Sequence, residues 1–184
     1  MIIAVLGEEA KLLAKLFGDA LEGVVVRASV DPEPGLGDVL AGEADLESVC
    51  EEGVCPHGWG LDRPRHLRQL PAVLERLGRH YPHIVIACPA APAHTRNALC
   101  FVADLIVLGC GGETPIADAM ATRERLMALE TPLGGVFVID EESTVDAPTL
   151  PVTATAREDL PDAVEDLVAA LTRSRRAVEP FPES

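Results

Sequence analysis

Aromatic side chains are scarce in this chain: four Phe, one Tyr and one Trp make up 3% of its 184 residues. The core therefore has to be built from Val, Leu, Ile and Ala. Lysine is nearly absent. Lys11 and Lys15 are the only two, and with thirteen Arg they face thirty acidic residues, a formal net charge of −15. So few cations exclude a general nucleic-acid binder, whose affinity comes largely from Lys and Arg neutralising phosphates. The same balance disfavours adsorption to an anionic membrane face. Low Lys with abundant Asp, Glu, Ala, Val and Gly resembles proteins of salt-loving organisms or GC-rich bacteria.

Long apolar runs are lacking too. No stretch reaches the roughly 18 uninterrupted apolar residues of a membrane helix. Met1–Gly7 has no basic segment before it and is too short for a signal peptide. The five cysteines, Cys50, Cys55, Cys88, Cys100 and Cys110, are an odd number, which favours free thiols over a disulfide framework. A cytoplasmic protein is expected. What remains is a globular composition, 48% hydrophobic and 24% charged. A chain of this size buries roughly 70% of its unfolded surface and needs no staples.

Short apolar runs alternate with helix-length segments. Strands are expected at Ile2–Leu6, Val24–Ala28, Ile84–Cys88, Leu105–Leu108, Gly135–Ile139 and Pro151–Ala154. Helical periodicity follows the first strand through Leu12, Leu13, Leu16, Phe17, Ala20 and Leu21. Further helices are expected from Pro71 to an end near Gly78 to Tyr81, over about 93–102, over about 116–129 behind Thr114-Pro115, and from about Leu160 to Leu171. Residues 38–62 carry little pattern. Strands without polar alternation, separated by helices, imply βαβ units and a mostly parallel sheet between two helical layers. The expectation is one α/β domain over residues 1–172 and a flexible, acidic, proline-containing tail over 173–184.

Three segments carry a resemblance. Met1–Gly7 leads into a Leu/Ala-rich helix. Val24–Gly37 passes through Asp31-Pro32 into Leu36-Gly37-Asp38-Val39-Leu40. Tyr81-Pro82-His83-Ile84-Val85-Ile86-Ala87-Cys88-Pro89-Ala90 has the shape of Tyr-Asp-x-Ile-Ile-Ile-Asp-Thr-Pro-Ala, and Ala103–Leu108, Thr114-Pro115 and Asp118-Ala119 continue the register. In order and spacing, from Met1 to about Leu171, the chain resembles the MinD/ParA family of P-loop ATPases. The resemblance implies a P-loop NTPase-like fold.

The family's chemistry needs a glycine-rich loop whose N–H groups wrap phosphates, with a Lys and a hydroxyl that holds magnesium. In this register Gly7-Glu8-Glu9-Ala10-Lys11 replaces that loop. Lys11 and Lys15 read as helix-surface residues. A carboxylate about 4 Å from a phosphate oxygen costs roughly 4 kcal/mol at an effective dielectric near 20. Glu8 and Glu9 equally suit the positive end of a helix without any ligand. The acid that positions the attacking water falls at Ser29, with Asp31 surviving as a turn former. The acid that orders the magnesium shell falls at Ala87, and an adenine-contacting Asn falls at Ile139.

Other constellations are weaker. Cys50-x₄-Cys55-x-His57 has a zinc-like spacing but no second pair of ligands. Cys88 and Cys110 are expected to close parallel strands, where open α/β sheets bind ligands, although buried Cys is also a common small hydrophobe. His94 and Arg96 lie at the same edge and suit an anionic ligand or a partner, or simple solvation. Gly109-Cys110-Gly111-Gly112 is a flexible segment without a nearby Lys. Arg173, Arg175 and Arg176 lack the apolar half of a membrane-anchoring helix.

The expected function is a non-catalytic pseudo-ATPase that regulates or adapts through protein contacts, without cofactor or metal. Its partner would be a second copy of the chain or a genuine MinD/ParA-type ATPase, and neither nucleic acid nor membrane. The alternatives are a thiol-dependent enzyme or redox or metal sensor using Cys88, Cys110 and His94, and a weak nucleotide-binding relative.

Overall fold

A computed structural model of the chain describes residues 1–27, 35–50, 54–56, 67–88, 93–111, 121, 124–125, 128, 133–139, 152–155 and 157–176. Seven strands form one sheet: β1 (Ile2–Leu6), β2 (Val24–Arg27), β3 (Val54–Cys55), β4 (Ile84–Cys88), β5 (Leu105–Gly111), β6 (Leu133–Ile139) and β7 (Val152–Thr155). Their spatial order is β3-β2-β4-β1-β5-β6-β7, and every neighbouring pair runs parallel. Among the described residues the helices that connect or cover them are α1 (Ala10–Leu21), α2 (Leu36–Ala41), α3 (Leu46–Val49), α4 (Leu70–Gly78), α5 (Ala93–Val102) and α6 (Leu160–Arg176). The three-layer α/β architecture expected from the apolar periodicity is the one observed.

Side-chain alternation along the central strands divides the core in two. Leu6, Ile84, Ile86, Cys88, Ile106, Leu108 and Cys110 face the layer that includes α2, α4 and α5. Ile3, Val5, Val85, Ala87, Leu105 and Val107 face α1 and α6. Both faces of β1, β4 and β5 are thus covered, which is why these strands read as continuous apolar runs. On the second face Phe17 of α1 meets Phe137 of β6 edge-on, with centroids 6.2 Å apart and planes at 81°. At the amino end of the sheet the Asp104 carboxylate accepts the Ile2 N–H at 2.7 Å, fixing the start of β1 against β5.

Four differences from the sequence expectation have local causes. The weakly patterned 38–62 region carries most of α2, all of α3 and the two-residue β3, each too short to show a period. Asp38, part of the turn that carried the resemblance, receives the Gly35 N–H at 2.8 Å and so caps α2. β5 continues beyond Leu108 to Gly111, because β6 pairs with it through Ile139. Gly109–Gly111 is therefore buried strand, where a flexible segment was expected. α6 runs to Arg176, five residues past Leu171 and into the expected tail. The helix expected at 116–129 falls mostly outside the described residues, within which Ala128 N–H bonds the Glu124 carbonyl at 3.1 Å. No helix among the described residues is long and apolar enough to cross a membrane.

Candidate functional site

The carboxyl ends of β1, β4 and β5 form the edge where open parallel sheets place ligands. β1 ends at Leu6 and α1 begins at Ala10, so three residues make the turn between them. Gly7 adopts φ +102, and a Cβ there would drive into the Gly109 carbonyl oxygen. Only glycine tolerates that combination. The Glu9 N–H reaches the same Gly109 oxygen at 3.4 Å, and Ala10 N–H bonds the Gly7 carbonyl at 3.2 Å. The turn is thus closed on itself and on β5.

Both glutamates lie along the end of β5. A Cβ placed on Gly111 would sit 3.0 Å from Glu8 Oε2 and 3.7 Å from Glu9 Oε1. The Glu9 carboxylate also accepts a hydrogen bond from Arg157 Nη2 at 2.8 Å. Arg157 precedes α6, so this ion pair crosses from the β1–α1 turn to the far end of the chain. Glu9 is the residue flanking α1, with no side-chain cap bond of its own. Lys11 and Lys15 are exposed on α1, as expected. Ala87 is buried between Val5 and Arg27 in the sheet register and faces α1. Ile139 is buried at the end of β6.

The crevice thiols do not form a pair. Cys88 ends β4 beside Leu6, whereas Cys110 lies on β5, which β1 separates from β4. Two strand spacings alone put their backbones about 10 Å apart, too far for a disulfide. Burial pushes the Cys88 thiol up to about 11, with Arg96 opposing and Cys100 adding. Burial, and then the Glu8 carboxylate, push Cys110 up to about 11. Both are therefore protonated, weak nucleophiles at neutral pH. Cys88 shares its surroundings with Arg96 and Cys100, while Cys110 shares its own with Glu8.

Away from this edge, Cys55 shares a hydrogen bond with Cys50, and that bond together with burial raises the Cys55 pKa far above the ordinary thiol range. His57 lies outside the described residues, as do Ser29, Asp31 and Gly112. Among the described residues no group of three or more His, Cys, Asp or Glu is placed to hold a metal ion. A separate cavity of about 660 Å³, lined by Met1, Leu74, Tyr81, Phe101 and Asp104 among others, opens at the opposite, amino end of the sheet.

Sequence reasoning singled out the β1–α1 turn, Ala87, and His94 and Arg96, which are exposed at the start of α5, but not Arg157 or Thr95. Arg157 is 148 residues from its partner in the chain. Thr95 sits between His94 and Arg96 in the first turn of α5, where only tertiary burial distinguishes it.

No family model and no curated protein sequence match this chain. Solved structures do. The chain is similar to cobyrinic acid a,c-diamide synthase from Mycobacterium smegmatis with a bound ATP analogue and magnesium, at 17% identity and a TM-score of 0.67, covering 100% of this chain and 98% of that one. A plasmid partition protein from Borrelia burgdorferi matches at 12% identity and TM-score 0.66, over 94% and 98% of the two chains. The cell division ATPase MinD of Pyrococcus furiosus matches at 21% identity and TM-score 0.58, over 88% and 79%. At such identities the likeness establishes the fold, that of MinD- and ParA-type P-loop proteins.

Proposed function

We propose that this chain keeps the fold of MinD/ParA-type ATPases without their nucleotide chemistry and acts as a regulatory or adaptor protein through protein contacts. The observation that carries the proposal is the β1–α1 turn. A triphosphate at the amino end of α1 needs a loop long enough to wrap it and backbone N–H groups turned inward. The three-residue turn offers neither, and its Glu9 N–H is directed to the Gly109 carbonyl. The positive end of α1 is met by the chain's own Glu8 and Glu9, the latter already paired with Arg157.

Magnesium and nucleotide do not fit these residues. Ala87 offers no oxygen for a metal shell, and the two carboxylates repel phosphate. A scaffold that keeps a seven-stranded parallel sheet but presents this edge suits recognition by surface. The partner in this reading is a second copy of the chain or a genuine MinD/ParA-type ATPase. Nucleic acid and anionic membrane are disfavoured by the net charge of −15.

Titration calorimetry of the full chain with Mg-ATP tests the proposal. No saturable heat is expected at millimolar nucleotide, and no phosphate release above background. Micromolar binding, or a turnover abolished by Lys11→Ala or Lys15→Ala, would end it.

A further inference from the structure

The carboxyl end of β4 holds a feature that plays no part in that reading. α5 is ten residues long and carries His94, Thr95 and Arg96 in its first turn. The N–H groups that open a helix have no intrahelical acceptor and concentrate about half a positive charge. Among the described residues Thr95 is the one fully buried polar side chain, at 1% exposure. Its Oγ1 has no hydrogen-bond partner. Side chains on a helix lean toward its amino end, so a hydroxyl on the third residue of α5 leans back toward the first turn, on the buried side of the helix. Buried hydroxyls are almost always partnered, and one that is not marks the place of an absent acceptor.

Arg96 supplies charge at the same place. Its guanidinium acts electrostatically on Cys88 at the end of β4 and on Cys100 one turn further along α5. It therefore lies near the strand end, on the exposed side of α5. Among the described residues, Arg79 pairs with Glu75 and Arg157 with Glu9, and neither ion pair involves Arg96.

The contrast with α1 is instructive. The two helices start at the same edge of the sheet but on opposite faces, since Leu99 and Cys100 of α5 pack on one face and Leu13 and Phe17 of α1 on the other. The start of α1 is met by two carboxylates. The start of α5 offers an orphaned hydroxyl and a cation.

We propose that the amino end of α5 binds a single oxyanion, a phosphate or carboxylate group, held by the first-turn N–H groups, the Thr95 hydroxyl and the Arg96 guanidinium. The hydroxyl donates to one anion oxygen, and the guanidinium makes the charge-assisted contact that fixes orientation. The site is independent of the β1–α1 turn and of any nucleotide.

The test is calorimetry on the full chain with inorganic phosphate and, separately, acetate, at constant ionic strength made up with chloride. Saturable one-to-one binding of either anion is expected. Tighter phosphate binding identifies a phosphate-bearing ligand, and tighter acetate binding a carboxylate. Thr95→Val and Arg96→Met should each weaken that binding about tenfold or more. Thr95→Val is nearly isosteric and removes the orphaned hydroxyl, so without anion its melting temperature should equal or exceed that of the unmodified chain. Absence of saturable binding for both anions, or unchanged affinity in both variants, would overturn the proposal. Mg-ATP binding that Thr95→Val leaves untouched would defeat the preceding reading and leave this one to be judged on phosphate and acetate alone.

Discussion

Cys88 and Cys110 occupy the positions where a thiol enzyme would keep its nucleophile, yet burial holds both thiols in their protonated form. With folded values raised to about 11 against 9.0 for a free thiol, the unfolded chain loses these protons first as pH rises. Between pH 9 and 11 the folded state then binds more protons than the unfolded one, so stability falls with pH in that window. Thermal melts across it should show a declining melting temperature, and Cys88→Ala with Cys110→Ala should flatten the slope. An unchanged slope in the double variant would show that other groups dominate alkaline unfolding. A second residue, Gly7, is fixed by its left-handed backbone and by the Gly109 oxygen against it. Its position at the end of the first apolar run was legible in the sequence; its contact with β5 was not, because Gly109 lies about a hundred residues away.

At the scale of the element, α1 carries most of one face. Leu13, Ala14 and Phe17 are buried against β1, β4 and β6. Phe17→Ala removes a fully buried ring and its edge-on contact with Phe137, and should lower unfolding free energy by about 3–5 kcal/mol. Urea titration reads this directly, and a loss under 1 kcal/mol would show that α1 is not seated as described. The long elements were legible because their patterns exceed one period: β1, β4 and α5 begin and end at the expected residues. β3 was invisible, since two residues on an edge have no alternation to show. The extension of β5 through Gly109, Cys110 and Gly111 was misjudged because glycines signal turns locally, while pairing with β6 decides their conformation. The candidate site divides in the same way. Glu8, Glu9 and Ala87 could be placed by register, whereas the Glu9–Arg157 pair and the unpartnered Thr95 hydroxyl exist only once the helices are packed.

The whole molecule carries a net charge of −15 on 184 residues. Self-repulsion of that size is felt across roughly 10 Å at 0.1 M salt and only about 3 Å at 1 M. Calorimetric melts in potassium chloride should therefore show the melting temperature rising over that range, and a flat or falling trend would indicate compensating cation-binding patches. One consequence of the strand order reaches beyond the finished fold. β1 lies in the middle of the sheet, yet its neighbours are β4 and β5, and Ile2 pairs with Ile84. During synthesis at about 5–20 residues per second, Ile2–Leu6 has left the ribosome for roughly 4–16 seconds before either neighbour exists. This apolar segment has no strand to pair with during that interval, so the middle of the sheet is made well before the strands that flank it.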